Sequence, residues 1–431
     1  MVARLVFDAD WDPDAYWSTT NLGEAIPGVL TPVTWALWGG VGERAARQSF
    51  VHVGALSAEE GETPEDPRKR LFGIFLGRFA CKVDGLAEIG DRLPGTSGAE
   101  MAEQILGTLP PGFESHPTKR RWPVIAVRMP RNFARAPKRI RPLRDDVQAW
   151  WLAATTRAPT LDLPAAQALW RDGERRFEET LIAHGDCLFG VVQVMHQAVE
   201  QLVASSGAEA ALVGRLLAGQ GSHAELEVVD DLWALSREQI TLETFLSRHG
   251  YHGPMEGEAS ARVWRDDPAP VLGLAKQYAR KPDAESPAAV AALRAGEREE
   301  AQRTLLALLP AWRRPLAAAL LRQADKAIPL RGVGKRMFLQ AMDVTRAATR
   351  RIGTLLHEQG ALADPEDAFY LEKDELTGGA LPSLQTVAAR KAERERLQGL
   401  TLPGSWRGRP VPMELEAIDE DAARDGLSLD G

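Results

Sequence analysis

The sequence predicts a mainly α protein: one large multi-helix domain with a small irregular N-terminal part. Three observations carry that reading. Apolar residues recur at the helical period from Ala165 to Ala204, through Leu169, Phe177, Leu181, Leu188, Val192, Met195 and Val199, as on the buried face of a long amphipathic helix. Further helical patterns fill about 287–324, 333–357 and 384–398, whereas strand signals are sparse. A chain of 431 residues with 44% hydrophobic and 26% charged residues has ordinary globular composition and can bury a large core.

Residues 1–50 open with aromatic residues and turns. Ser18 to Asn21 can cap a short helix through Glu24, which Pro27-Gly28 breaks. Thr31-Pro32 sets the entry to a second helix through Trp35, Trp38 and the Glu43/Arg44/Arg47 face, weakened by Gly39-Gly40. Trp35 and Trp38 share a helical face and read either as core anchors or as an aromatic wall of a ligand pocket. Residues 71–90, LFGIFLGRFACKVDGLAEIG, read as a helix followed by a short strand at Arg78 to Val83. SGAEMAEQILG from Ser97 reads as a capped helix ending at Gly107. After this N-terminal part, 1–115, residues 116–144 are expected as a basic, Pro-rich, extended connector to a helical domain, 145–410. Helix breaks around Gly214 to Gln220, and Ser222 with Glu225 gives a capping-box signature for the next helix. Ala368 to Leu371 is the best strand signal, and the acidic 411–431 reads as a solvated tail.

A net charge of -8 argues against a broad nucleic-acid surface, because phosphate binding needs a basic face. The dense basic stretch Lys119 to Arg144 is expected to pair its arginines with acidic neighbours. Cys81 and Cys187 lie far apart without a CxxC, which fits a reducing cytoplasm and gives no zinc site. The N-terminus has no uninterrupted apolar run, and no stretch of about 18 apolar residues occurs. A cytoplasmic protein without nucleic-acid or membrane partners is expected.

Phosphate-loop chemistry fails on residue identity. Gly334-Lys335 offers a GK, but Pro329 stands where a Walker-type loop needs Gly and Arg336 where it needs Ser or Thr. Gly40-Val41-Gly42 has no preceding strand and no βαβ unit around it. His184 and His196 would lie about 120° apart round a helix, and Gly253-Pro254 interrupts His252 and Glu256, so no metal site is expected. The remaining constellation lies in Arg248 to Pro268, RHGYHGPMEGEASARVWRDDP. Its breakers preclude regular helix or a central strand, leaving a structured loop of the kind that carries functional groups, or a capped connection with solvated charges. It supplies His249, His252, Glu256, Glu258 and Arg262. Downstream, Arg331 and Lys335 are four apart at a helix start, so both cations can face one spot. Two such cations suit a transferring phosphoryl group, and a neutral His beside them can take a proton from a hydroxyl acceptor.

These residues sit in motifs that resemble a known family. NLGEAIPGVLTPVTW is similar to the EALPG(V)xTPLTW element that opens the central domain of rifampin phosphotransferase-like proteins, relatives of phosphoenolpyruvate synthase. The Arg248–Pro268 stretch resembles their YGHRGPGE…RW.EDP loop, IPLRGVGKRMF their LRExxK helix start, DAFYLEKDEL their DVFYLTxDEL, and LPGSWRGRP their xPPxxxxG connector. The five elements follow the family's order from about 17 to 410. In such enzymes an ATP-grasp domain phosphorylates a histidine on a mobile domain, which delivers the phosphoryl group to an acceptor on the central domain. The resemblance implies that this chain is equivalent to that central domain, a substrate-binding subunit of a split phosphotransferase that binds no cofactor itself. ATP and phosphohistidine would come from a partner chain carrying ATP-grasp and/or phosphohistidine domains, and the acceptor would be a small hydroxyl or carboxyl compound. By motif match, Arg331 and Lys335 contact the phosphoryl group, and His252 with Glu256 or Glu258 lines the acceptor end. Arg262 would join the acceptor site, with Trp35, Trp38 and Trp264 as apolar walls. Gly332 replaces the family's Glu, which deprives Arg331 of its usual partner. Two other classes stay open: a non-catalytic binding or scaffold protein, and a stand-alone lyase or hydratase using His252 and the paired glutamates.

Overall fold

The computed structural model describes residues 7–8, 12–20, 26, 28–110, 112–218 and 223–414. It is 65% helical and 5% strand, the mainly α class that the sequence predicts. β1 (Tyr16–Ser18) leads to α1 (Pro32–Trp35), a π-helical stretch (Ala36–Gly42) and α2 (Glu43–Val53). β2 (Phe72–Phe75), β3 (Arg78–Lys82), α3 (Val83–Gly90), α4 (Gly98–Leu106) and α5 (Trp122–Arg157) follow. Next come α6 (Leu163–Cys187), a second π-helical stretch (Leu188–Val192), α7 (Gln193–Ser206), α8 (Ala211–Leu216), α9 (His223–Ser236) and α10 (Leu242–His249). The chain continues through α11 (Ala269–Tyr278), α12 (Pro287–Leu308), α13 (Arg314–Ala327), α14 (Leu330–Glu358), α15 (Lys373–Leu376) and α16 (Leu384–Gln398). It closes with β4 (Leu400–Thr401), β5 (Ser405–Arg407) and β6 (Met413–Glu414).

α14 is the axis of the molecule. It packs on α6 and α5, and Met337, Ala341, Met342, Val344, Ala348 and Ile352 along it are buried. A helix buried on most of its circumference can hold polar groups only if they are paired, which sets up the site described below. Close approach depends on small residues: a Cβ at Gly334 would overlap the His184 ring of α6. Gly334→Ala is therefore expected to lower stability by about 1–3 kcal/mol through overpacking. Gly296, in mid-α12 with open space around its Cα, should gain about 0.5–1 kcal/mol from the same change. Denaturant midpoints of the two variants check this; equal shifts would contradict it.

Three local readings are corrected. The 116–144 stretch is helical from Trp122 onward and runs unbroken into 145–157 despite Pro130, Pro137 and Pro142. Each interior proline costs about 3 kcal/mol of helix stability, but Ile125, Asn132, Ala136, Ile140, Val147 and Trp151 form a buried stripe at helical spacing, and packing outweighs propensity. Its cations are only partly paired: Arg128 donates to Val51 O at 2.7 Å and Arg139 lies 3.5 Å from Asp186. Residues 72–75 form a strand, not helix, joined to β3 by a two-residue turn in which Leu76 (φ 47°) and Gly77 (φ 74°) are both left-handed. That is the primed turn geometry that suits hairpin twist, and Leu-Gly is not its usual signature. Ala368–Leu371 is not strand either, because Pro365–Tyr370 is a 3-10 turn with a capping box at Asp364. The capped helix at Ser97 is present, with its Glu100 capping box, and Thr31 caps α1. The expected helix through Glu24 and the Ser222 cap lie outside the described residues.

β1 sits between β3 and β5 in an antiparallel sheet of order β2-β3-β1-β5, with Trp17 opposite Lys82 and Trp406. The segment Leu163–Ser206 is long and apolar enough to cross a membrane by length and composition, and Trp170, Phe177 and Val199 on it are buried in the helical core.

Candidate functional site

Arg248 and His249 close α10, against the expectation of loop from Arg248 onward, and Gly250 to Pro268 form an ordered loop clamped by its own backbone. Trp264 N donates to His252 O at 2.7 Å and Arg265 N to Gly250 O at 3.0 Å. Gly253 lies where a Cβ would press on Arg262 O, which is why the pinch needs glycine there. Three arginines fix the loop from one side. Arg346 of α14 donates to Ala259 O at 3.0 Å and Glu258 O at 3.1 Å. Arg350 reaches Ser260 O, Ala261 O and, at 2.5 Å, Asp266. Arg265, from the loop itself, pairs with Asp343 of α14. Asp343 is the hub: fully buried, it accepts from Arg346 at 2.9 Å, from Trp151 Nε1 at 2.7 Å and from Arg265. Burial would raise its pKa, but Arg265 and Arg346 reverse that and hold the carboxyl below its ordinary range.

On this support the loop aims a small polar group at α14. His252 Nδ1 pairs with Glu256 Oε1, and Lys335 Nζ lies 3.4 Å from Glu256 Oε2. The carboxylate thus bridges a ring and a cation; burial raises its pKa, but His252 and Lys335 outweigh burial and keep it ionised. With Nδ1–H donating to Glu256, a neutral His252 ring presents a lone pair on Nε2, and that Nε2 is buried without a hydrogen-bond partner among the described residues. Tyr251 and Trp264 flank the ring at centroid distances of 4.2 and 5.4 Å. Tyr251 Oη, His249 Nδ1, Arg336 Nε and Gln340 Oε1 are likewise buried and unpartnered. Orphaned buried polar atoms are rare in folded proteins, and five of them in the loop, the end of α10 and α14 mark this region.

His249 carries a further consequence. Its Nε2 pairs with Asp231 at 2.7 Å, yet burial is the larger influence and pushes its pKa down to about 4. Asp231 opposes burial, whereas His252 and Arg336 reinforce it. Because the folded value lies below the unfolded one, the unfolded chain binds the proton first as pH falls. Stability is therefore full above about pH 6.5 and declines toward pH 4, by on the order of 3 kcal/mol from this ring. His249→Gln should flatten the dependence of the melting temperature across that window, and a slope as steep as in the unmodified chain would contradict the assignment.

Of the residues singled out in the sequence, His252, Glu256, Lys335 and Trp264 are brought together. Arg331 is exposed one turn before Lys335, and Arg262 is exposed on the loop. Glu258 is 1% exposed, and its carboxylate accepts from Thr31 Oγ1 at 2.7 Å, Thr31 N at 3.1 Å and Ser260 Oγ at 2.8 Å. It ties the loop to the start of α1 and does not join His252. Trp38 is a core anchor: Nε1 donates to Gly257 O at 3.0 Å, and the ring packs edge-on to Phe177 and Phe338. Trp35 is half-buried against Phe79. Asp343, Arg346, Arg265, Tyr251 and Gln340 were not indicated by sequence reasoning; the one available signal is Asp343 and Arg346, three apart in an otherwise uncharged helical run from 337 to 349. Among the described residues no group of three or more His, Cys, Asp or Glu is placed to hold a metal.

Residues 238–332, which contain the whole loop, match the family model described as the rifampicin phosphotransferase fourth domain. Lys335 and the α14 hub lie just beyond that match. The chain is also 29% identical over 242 residues to three uncharacterized proteins, Mb2073c of Mycobacterium bovis and MT2107 and Rv2047c of Mycobacterium tuberculosis. Those alignments cover 54% of this chain and 25% of each relative, so the chain spans about a quarter of the length of the relatives it matches. Over residues 238–332 the chain therefore resembles the rifampicin phosphotransferase fourth domain, which supports a relationship to the PEP-utilising proteins.

Proposed function

We propose that the chain presents a small hydroxyl or carboxyl compound to a phosphohistidine carried on a partner chain, as the acceptor-binding part of a phosphotransferase. The observation that carries this reading is the His252–Glu256–Lys335 group, in which a ring with an unpartnered Nε2 and a cation share one carboxylate. In the proposed step the acceptor O–H gives its proton to His252 Nε2 while its oxygen forms a bond to phosphorus. The P–N bond of the partner's phosphohistidine breaks and its electron pair returns to that imidazole. Glu256 stabilises the imidazolium formed at His252, and Lys335 with Arg331 offsets charge on the transferring oxygens. For a carboxylate acceptor no proton transfer is needed, so dependence on His252 separates the two acceptor classes.

The likeness of residues 238–332 to a phosphotransferase domain supports the reaction class. The test combines the purified chain, a partner bearing ATP-grasp and phosphohistidine domains, ATP labelled in its β- and γ-phosphates, and a pool of cellular small molecules. A labelled small molecule that appears only when both chains are present is the expected result. Ligand binding by this chain with label confined to the partner would replace the reading with that of a binding protein, and turnover without ATP would replace it with a lyase or hydratase.

A further inference from the structure

A cavity of about 410 Å³ opens between α5, α9, the end of α13 and the first turns of α14. Among the described residues, Arg141, Arg144, Lys326 and Arg336 line it, against the two carboxylates Glu227 and Asp325. Glu227 is engaged by Arg336 at 2.5 Å, and Asp325 is drawn toward Arg298 at 3.8 Å. Arg144 is paired with its neighbour Asp145 at 2.8 Å. Arg141 on α5 and Lys326 on α13 form no ion pair among the described residues and leave the cavity with a surplus of positive charge. Its floor is apolar, from Leu330 and Val333. Leu330, Val333 and Arg336 recur at intervals of three on one side of α14, whereas Arg331 and Lys335 lie about 100° or more round the helix from them. The cavity therefore faces away from Arg331 and Lys335, and Arg336 is the residue it shares with the surroundings of His249 and Tyr251.

We propose that this cavity binds a small phosphomonoester with a compact apolar body. A phosphate monoester is close to a dianion at neutral pH and matches the two cations that have no ion-pair partner among the described residues. Guanidinium groups present paired donors to its oxygens, and Leu330 and Val333 cover the organic part. The volume is in the range of small-ligand pockets and larger than an inorganic ion needs. The site stands independently of the acceptor-binding reading.

Calorimetric titration of phenyl phosphate into the full chain at low salt tests it. Saturable binding is expected, about tenfold or more weaker in Arg141→Glu and in Lys326→Glu, weaker at high salt, and unchanged in Lys335→Ala. Both charge reversals lie at exposed positions, and circular dichroism verifies that each variant is folded. Absence of saturable binding, or binding that survives both reversals but is lost in Lys335→Ala, overturns the proposal. Isophthalate, of similar size and charge, should bind more weakly; equal affinity would overturn the assignment to phosphate.

Discussion

Asp343→Ala is expected to destabilise the fold by about 3–5 kcal/mol, the loss typical of breaking a buried ion pair by removing one partner. Asp343 is fully buried on the central helix, and the change strands Arg346, itself 1% exposed, together with Arg265 and the indole of Trp151. The damage propagates to the loop. Arg346 holds the carbonyls of Ala259 and Glu258, and its aim depends on Asp343. Asp343→Asn keeps the shape and one acceptor but removes the charge facing two guanidiniums, so it should fall between the alanine variant and the unmodified chain. Urea denaturation measures both, and a loss below about 1 kcal/mol for Asp343→Ala would show that the hub does not hold the loop.

Lys335→Ala is expected to slow phosphoryl transfer at least about a hundredfold, the loss seen when one transition-state donor is removed, with a melting temperature close to that of the unmodified chain. The two readouts separate because Lys335 is 43% exposed and its pair with Glu256 spans 3.4 Å, a partly exposed pair of small structural worth. His252→Gln should leave acceptor binding in place and slow transfer to a hydroxyl acceptor by about 10²–10⁴. Transfer at the normal rate in Lys335→Ala would remove that residue from the site; a normal rate in His252→Gln with a hydroxyl acceptor would do the same for His252.

The helical class and most helices were legible because amphipathic period and caps are local. Ser97 with Glu100 and Thr31 with Pro32 announce their helices within a few residues. The loop within Arg248–Pro268 was legible for the complementary reason, a density of Gly and Pro that breaks regular structure, although its first two residues close α10. α5 was not, because its prolines speak locally whereas its buried stripe from Ile125 to Trp151 needs partners elsewhere in the chain. Glu258 illustrates the same limit on the site: in sequence it is one of two glutamates beside a histidine, and only folding brings Thr31, 227 residues away, onto its carboxylate. Asp343, Arg346 and Arg265 could be read as helix and loop surface charges until burial makes them a network.

The most direct measurement is single-turnover transfer from a partner whose histidine is already phosphorylated, in the presence of this chain and the acceptor found by labelling. The account predicts that the phosphohistidine is consumed at a rate that depends on this chain, that label appears on the acceptor, and that both effects vanish with Lys335→Ala. Phosphohistidine lost only to inorganic phosphate, at a rate indifferent to this chain, would contradict it.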